Sequence, residues 1–351
     1  MIFSHFKPIS SWLPHWQSAD GKVRASESVI LDFRHKPPWR ITPYYIDLNR
    51  GDILKIIKED SSKIVIGIKD IGIDSRRFSC PRTKVLIDMD GERKWLYCGM
   101  EEPKRRGIEP LCIRELKIGI EITRLLFSKI GRKKASPFNT FENFKLHKDL
   151  RMVIWDAHKP ILQVSESAFV VDQPVWTRSK FGNWLHQTGY GFHSAIDIFA
   201  SKNGMPEAVY SPVAGIVYNV YHKGGSAHSR RNSKAVNLYG KEMVGPHGER
   251  ILYRFQHFSR IVVSKNEEVK AGQIIGFTGH TGFDPRIGDH LHFEIRMNPS
   301  CFAKSYNDDI FESIPVNPYF YLLEWWEKKT YEFRTNTRTK QDLYYQSLAQ
   351  I

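Results

Sequence analysis

His290-Leu291-His292-Phe293-Glu294-Ile295-Arg296 alternates polar and apolar side chains at every step. That is the period of a β-strand, so His290 and His292 face one way while Leu291 and Phe293 face the other. Well upstream, Gly189-Tyr190-Gly191-Phe192-His193-Ser194-Ala195-Ile196-Asp197 closes a loop with a His and an Asp four positions apart, directly before the apolar run Ile198-Phe199-Ala200. Two His on one strand face, joined by a distant His and Asp, make a three- or four-ligand metal constellation once the two strands are neighbours.

Outward from these stretches the chain reads as mainly β. Strands are expected at 195–199, 208–211, 215–221, 251–257, 260–263, 274–278 and 290–296, forming a small antiparallel β unit over 161–318. Residues 222–250, rich in Gly, Ser, His, Arg and Lys, suit an exposed, mobile loop. Upstream, 29–160 holds seven or more short strands. Among them are 116–123, where Leu116, Ile118, Ile120 and Ile122 alternate with Lys117, Gly119, Glu121 and Thr123, and a hairpin signalled by Asp90-Gly91. An N-terminal antiparallel β-sandwich of unknown role is expected there. Residues 1–28 read as an irregular arm and 319–351 as a short helical C-terminal tail, with Glu ahead of Lys at favourable helical spacing in 322–329.

At 351 residues the chain is long enough for two cores. Its 41% hydrophobic and 26% charged residues describe a globular protein, and no run of eighteen apolar residues supports a transmembrane segment. The formal charge of +14 directs the long-range field at anionic partners. The basic clusters Lys104-Arg105-Arg106 and Arg132-Lys133-Lys134 are short and no nucleic-acid motif accompanies them, so an acidic polymer is a better candidate than nucleic acid, which is not expected. Cys80, Cys98, Cys112 and Cys301 have no C-x-x-C spacing, which argues against a cysteine zinc site and for plain buried thiols. The first residues show no charged region followed by an apolar run, so no signal peptide is visible.

Three protein ligands suffice for a catalytic zinc, whose fourth position stays open, and His193, Asp197 and His292 meet that need. The mixed nitrogen and oxygen set favours zinc over magnesium or calcium. Zinc acidifies water and polarises a carbonyl, the two tasks of amide hydrolysis. His290, on the same strand face as His292, must lie close to any metal that His292 binds, and His257 ends the strand Tyr253-Arg254-Phe255-Gln256-His257. Either imidazole can move a proton or stabilise an oxyanion.

His193-x-x-x-Asp197, Ser211-Pro212-Val213-Ala214-Gly215-Ile216-Val217, the strand ending in His257, Val269-Lys270-Ala271-Gly272-Gln273-Ile274-Ile275-Gly276 and His290-Leu291-His292-Phe293-Glu294 follow one another in a familiar order. Over about 180–300 this resembles the LytM/lysostaphin-type zinc metallopeptidases. The resemblance implies an antiparallel β fold with a grooved active site, one zinc ion per chain on His193, Asp197 and His292, and proton-transfer and intermediate-stabilising roles for His257 and His290. It also implies hydrolysis of peptide bonds in peptidoglycan cross-links or stem peptides, outside the cytoplasm. Ala195, Phe255 and Phe258 depart from the family's usual Gly, Tyr and Leu. Trp184, Tyr190 and Phe283 are candidates for groove lining, and His280 for reaching the site. Two rival functions remain: a catalytically inactive homologue that binds peptidoglycan or activates another wall hydrolase, and a biotinyl or lipoyl carrier. The carrier lacks an exposed Lys in a hairpin between its half-repeats and has no use for His-x-His.

Overall fold

The computed structural model describes residues 27–32, 34, 43–75, 82–99, 109–125, 144, 146, 148–171, 187–188, 191–199, 206–222, 233–243, 250–282, 288–297, 313–329 and 331. The protein is mainly β, with its described strands gathered into five sheets. Residues 1–26 of the expected arm, the two basic clusters, Cys80, Cys301, Trp184, Tyr190 and Phe283 lie outside the described residues, while Ser28 already belongs to a strand.

Upstream stand two sheets. One, of five strands, runs in the order Ser28–Asp32, Ile53–Ile57, Lys63–Ser75, Arg82–Met89, Glu92–Gly99; the other, of four, runs Tyr44–Leu48, Leu150–Asp156, Leu116–Thr123, Leu111–Ile113. Alternation builds them: in Arg82–Met89, Val85, Ile87 and Met89 turn inward while Lys84, Leu86 and Asp88 do not. Asp90 and Gly91 both take positive φ, 49° and 88°, and close the hairpin in which Met89 pairs with Glu92. The sheets share one core and meet where the Thr83 and Thr123 hydroxyls lie 2.8 Å apart. One pairing departs from the antiparallel expectation: Ser28–Asp32 runs parallel to Ile53–Ile57. No hairpin joins those two strands, so no turn dictates their relative direction.

Downstream, a seven-stranded sheet runs Ile196–Ile198, Leu291–Met297, Arg250–Gln256, Ala235–Met243, Gly215–Tyr221, Glu268–Val269, with Ile314–Val316 also paired to Leu291–Met297. A three-stranded sheet of Ala208–Tyr210, Ile274–Phe277 and Arg260–Ile261 lies beside it in sequence. Ala235–Met243 corrects the exposed-loop expectation for 222–250. It is an interior strand, and Ala235, Val236, Asn237 and Leu238 are all buried. With Ala235 on one face and Val236 and Leu238 on the other, both faces carry apolar residues and this strand shows no strict alternation to read. Cysteines also differ from expectation: Cys98 is buried, but Cys112 points outward from the edge strand Leu111–Ile113, and both are free thiols.

Residues 319–329 form a helix that is built into the core rather than projecting from it. Tyr319, Phe320, Tyr321, Leu322, Leu323 and Trp325 are buried. Tyr321 shares a 2.7 Å hydrogen bond with Tyr45, and Glu324 accepts from Trp155 Nε1 at 3.0 Å, Lys117 Nζ at 3.1 Å and the Ile161 backbone N–H at 2.6 Å. Glu324 therefore turns inward instead of pairing along the helix, and Lys328 donates to the Ser167 carbonyl. On the other flank, Trp325 packs against Tyr253 and Phe293, with ring centroids 6.4 and 6.3 Å away. The helix thus touches both the four-stranded sheet and the back of the strand that carries His292.

Gly119 is where the helix docks on Leu116–Thr123. A Cβ there would fall 2.8 and 2.9 Å from two ring carbons of Phe320, and closer still to a third. Gly119→Ala should lower the unfolding free energy by about 1–3 kcal/mol. Adding Phe320→Leu should recover part of the loss, and urea titration of the two variants checks both outcomes.

Candidate metal centre

Register brings the ligand candidates together. In the antiparallel pair Ile196–Ile198 with Leu291–Met297, Asp197 lies directly opposite His292, so their side chains share a face. His193 sits four residues before Asp197, at the end of the loop that feeds this strand, and is buried beside it. His193 Nε2 stands 3.0 Å from Asp197 Oδ1 and 3.0 Å from His292 Nδ1, while His292 Nδ1 stands 3.1 Å from Asp197 Oδ1. The imidazoles meet almost edge to face, at 83°.

This donor set fits zinc. Three ligand atoms on tetrahedral vertices with bonds of about 2.0–2.1 Å are separated by roughly 3.3 Å, close to the sides of this triangle. Two ring nitrogens and a carboxylate oxygen are the borderline ligands zinc accepts, and His193, Asp197 and His292 are the His/Cys/Asp/Glu group whose atoms converge within 4.8 Å among the described residues.

His257 and His290 flank the triangle. Their rings lie 4.8 Å apart, and His257 is 5.4 Å from His292. His257 ends Arg250–Gln256 in the left-handed region, φ 72°, an uncommon place for a side chain bulkier than Gly. Its Nδ1–H donates to the Thr281 carbonyl at 2.8 Å, and its backbone N–H to Ser233 Oγ at 3.3 Å. His290 Nδ1–H donates to the Gly288 carbonyl at 3.0 Å, and the Phe199 ring stacks on its imidazole at 5.1 Å. A carbonyl only accepts, so each contact fixes the Nδ1–H tautomer and leaves Nε2 as the basic nitrogen.

Residues 191–304 match the model of Peptidase family M23. The matched segment contains all five residues just described. Among curated relatives, Peptidoglycan DD-endopeptidase ShyA of Vibrio cholerae serotype O1 is 42% identical over 57 residues, 16% of this chain and 13% of that protein. DD-carboxypeptidase/endopeptidase Mpg of Neisseria meningitidis serogroup B is 29% identical over 147 residues, 41% of this chain and 30% of that one. The chain thus spans less than a third of the length of these relatives. Among solved structures, the catalytic domain of lysostaphin from Staphylococcus simulans aligns over 41% of this chain and 88% of its own, with 22% identity and a TM-score of 0.26.

Burial and charge set the protonation states in the matched segment. Burial pushes the Asp197 carboxyl up, but His193 and His292 more than offset it and hold it well below the usual carboxylate range. Burial, with help from His292 and His290, drives His257 well below an ordinary imidazole, and burial likewise lowers His290. Both are therefore neutral at neutral pH. Burial opposes charge on His292 too, yet hydrogen bonds to Asp197 and Glu294 raise it.

Several residues that complete the site carried no role in the sequence reading. Thr281 and Ser233 lie 24 residues from His257, and Gly288, two residues before His290, acts through its backbone carbonyl, so no side-chain pattern marks them. Glu294 does: two residues beyond His292 on one strand, it must share that face. His280, a candidate for reaching the site, pairs instead with Asp289 at 2.6 Å. Among the described residues no helix is long and apolar enough to cross a membrane.

Proposed function

We propose that the M23 segment is a zinc-dependent endopeptidase that hydrolyses peptide bonds in peptidoglycan cross-links or stem peptides. The observation that carries this reading is the 3.0–3.1 Å triangle of His193 Nε2, Asp197 Oδ1 and His292 Nδ1 beside His257 and His290, whose Nδ1 atoms are each held by a backbone carbonyl. The substrate class comes from the named activities of the relatives.

His193, Asp197 and His292 hold the ion. When bound, zinc supplies Lewis-acid polarisation of the scissile carbonyl and acidifies water. His257, neutral and anchored through Nδ1, takes a proton at Nε2 and returns it to the leaving amine. His290, its ring 4.8 Å from that of His257, is the alternative acceptor for that same proton at Nε2 and, while carrying it, donates toward the tetrahedral oxyanion. Both rings need their tautomer fixed, and Thr281 and Gly288 do that. The net charge of +14 draws the protein to an anionic wall polymer.

A His257→Ala variant should keep its zinc while the release of soluble muropeptides from purified peptidoglycan falls by about 10²–10⁴-fold. Mass spectrometry of the fragments from the wild-type protein identifies the bond cut. Undiminished release by the variant would remove His257 from this role, whereas zinc binding with no release by the wild type would mark an inactive, wall-binding homologue.

A further inference from the structure

We infer that Glu294 is a positioning residue for the metal centre: it holds His292 in the Nε2–H tautomer and so presents the Nδ1 lone pair to the ion. The inference rests on the zinc reading above and concerns how this chain selects the ligating nitrogen.

The two ligand imidazoles use different atoms. His193 turns Nε2 into the triangle, whereas His292 turns Nδ1 into it. His292 Nε2 faces the other way, 3.0 Å from Glu294 Oε1. A carboxylate oxygen can only accept, so Nε2 carries the hydrogen and Nδ1 is left with its lone pair. Without a fixed acceptor at Nε2, the neutral ring divides between tautomers and must be reorganised before it can ligate.

Glu294 is itself held on all sides. Strand period places His292, Glu294 and Arg296 on one face, and register sets Gln256 opposite His292 and Arg254 opposite Glu294. Gln256 Nε2 donates to Glu294 Oε1 at 3.1 Å, and Arg254 Nη1 stands 3.7 Å from the same oxygen. Arg296 Nη1 donates to Oε2 at 2.8 Å. Arg296 is fixed in turn by Ser313, through Nε to the hydroxyl at 2.8 Å and Nη2 to the carbonyl at 3.0 Å. A carboxylate that served only to neutralise two arginines would need no particular rotation. Here Oε2 goes to Arg296 and Oε1 to His292 and Gln256, so the arginine contact sets the rotation that aims Oε1 at the imidazole. The path from the ligand to Ser313 ends next to Ile314–Val316, the strand that leads into the 319–329 helix.

The test uses the full chain. Zinc affinity is measured by competition with a chromophoric chelator, and the His292 tautomer by long-range ¹H–¹⁵N correlation of the imidazoles. In the zinc-loaded wild type, His292 should show a metal-bound Nδ1 and a protonated Nε2. Glu294→Met, which removes the acceptor at similar size, should weaken zinc about 10–100-fold, and in its metal-free form His292 should show mixed tautomers. Glu294→Asp, which keeps the charge but shortens the reach, should fall between the two. A folded Glu294→Met protein with wild-type zinc affinity overturns the inference, as does a wild-type protein whose His292 binds metal through Nε2. That second measurement decides the question even if the Met variant fails to fold. Absence of zinc from the wild type would instead overturn the metal reading itself.

Discussion

A His193→Ala, His292→Ala protein should purify without zinc, where the wild type carries about one ion per chain. The double change leaves Asp197 as the single member of the triangle, and one monodentate carboxylate does not retain zinc through purification. Release of muropeptides should fall to background with it. Metal also couples to stability, because binding to the folded state alone raises the melting temperature by mass action. Adding a chelator should therefore lower the melting temperature of the wild type and leave the double variant unmoved. Elemental analysis and a thermal melt with and without chelator check both halves. Unchanged zinc in the double variant would place the metal elsewhere.

Glu121→Gln should make the protein more stable above pH 8 while changing little at pH 4. Glu121 is buried in Leu116–Thr123 and accepts the backbone N–H of Asn317, two residues ahead of the 319–329 helix. Burial raises its carboxyl to about 8, against partial relief from the Asn317 N–H and from Arg151. Tyr45, Tyr321 and Cys98 also face it, all pushed up chiefly by burial, so they stay neutral and leave the charge balance at Glu121 unchanged. A carboxyl raised on folding keeps its proton in the native state. Its contribution is fully present below the unfolded value near 4.5 and is lost as pH rises to about 8. The loss is on the order of a few kcal/mol. Gln keeps an oxygen for Asn317 and never ionises, so melting temperatures of the two proteins should coincide in acid and separate progressively toward pH 8. Parallel curves across that range would show that Glu121 stays ionised when buried.

The strands legible in the sequence are those whose residue types alternate. Leu116–Thr123, Arg82–Met89 and Leu291–Met297 do so, although the fold buries the polar face of the first and third as well, and Asp90-Gly91 marks its turn by residue type alone. Tyr44–Leu48 and Ala235–Met243 are largely covered on both faces, and the basic, Gly- and Ser-rich residues around the second of these disguised it. The helix at 319–329 was legible as a helix, but not its burial. Glu324 resembles half of a surface ion pair until Lys117, Trp155 and Ile161 are seen around it.

By itself the sequence offered the candidate donors and a shared strand face. His193, Asp197 and His292 are donors of the kind zinc accepts, and strand period alone puts His290 on the face of His292. Only the tertiary structure decided which nitrogen of each imidazole points inward. That choice depends on where the other nitrogen's hydrogen goes: to Thr281, Gly288 or Glu294. Two of those acceptors are backbone carbonyls, present at every residue and therefore invisible as side-chain identities. A tautomer is fixed by contacts made across the fold, and so it appears only when the chain has folded.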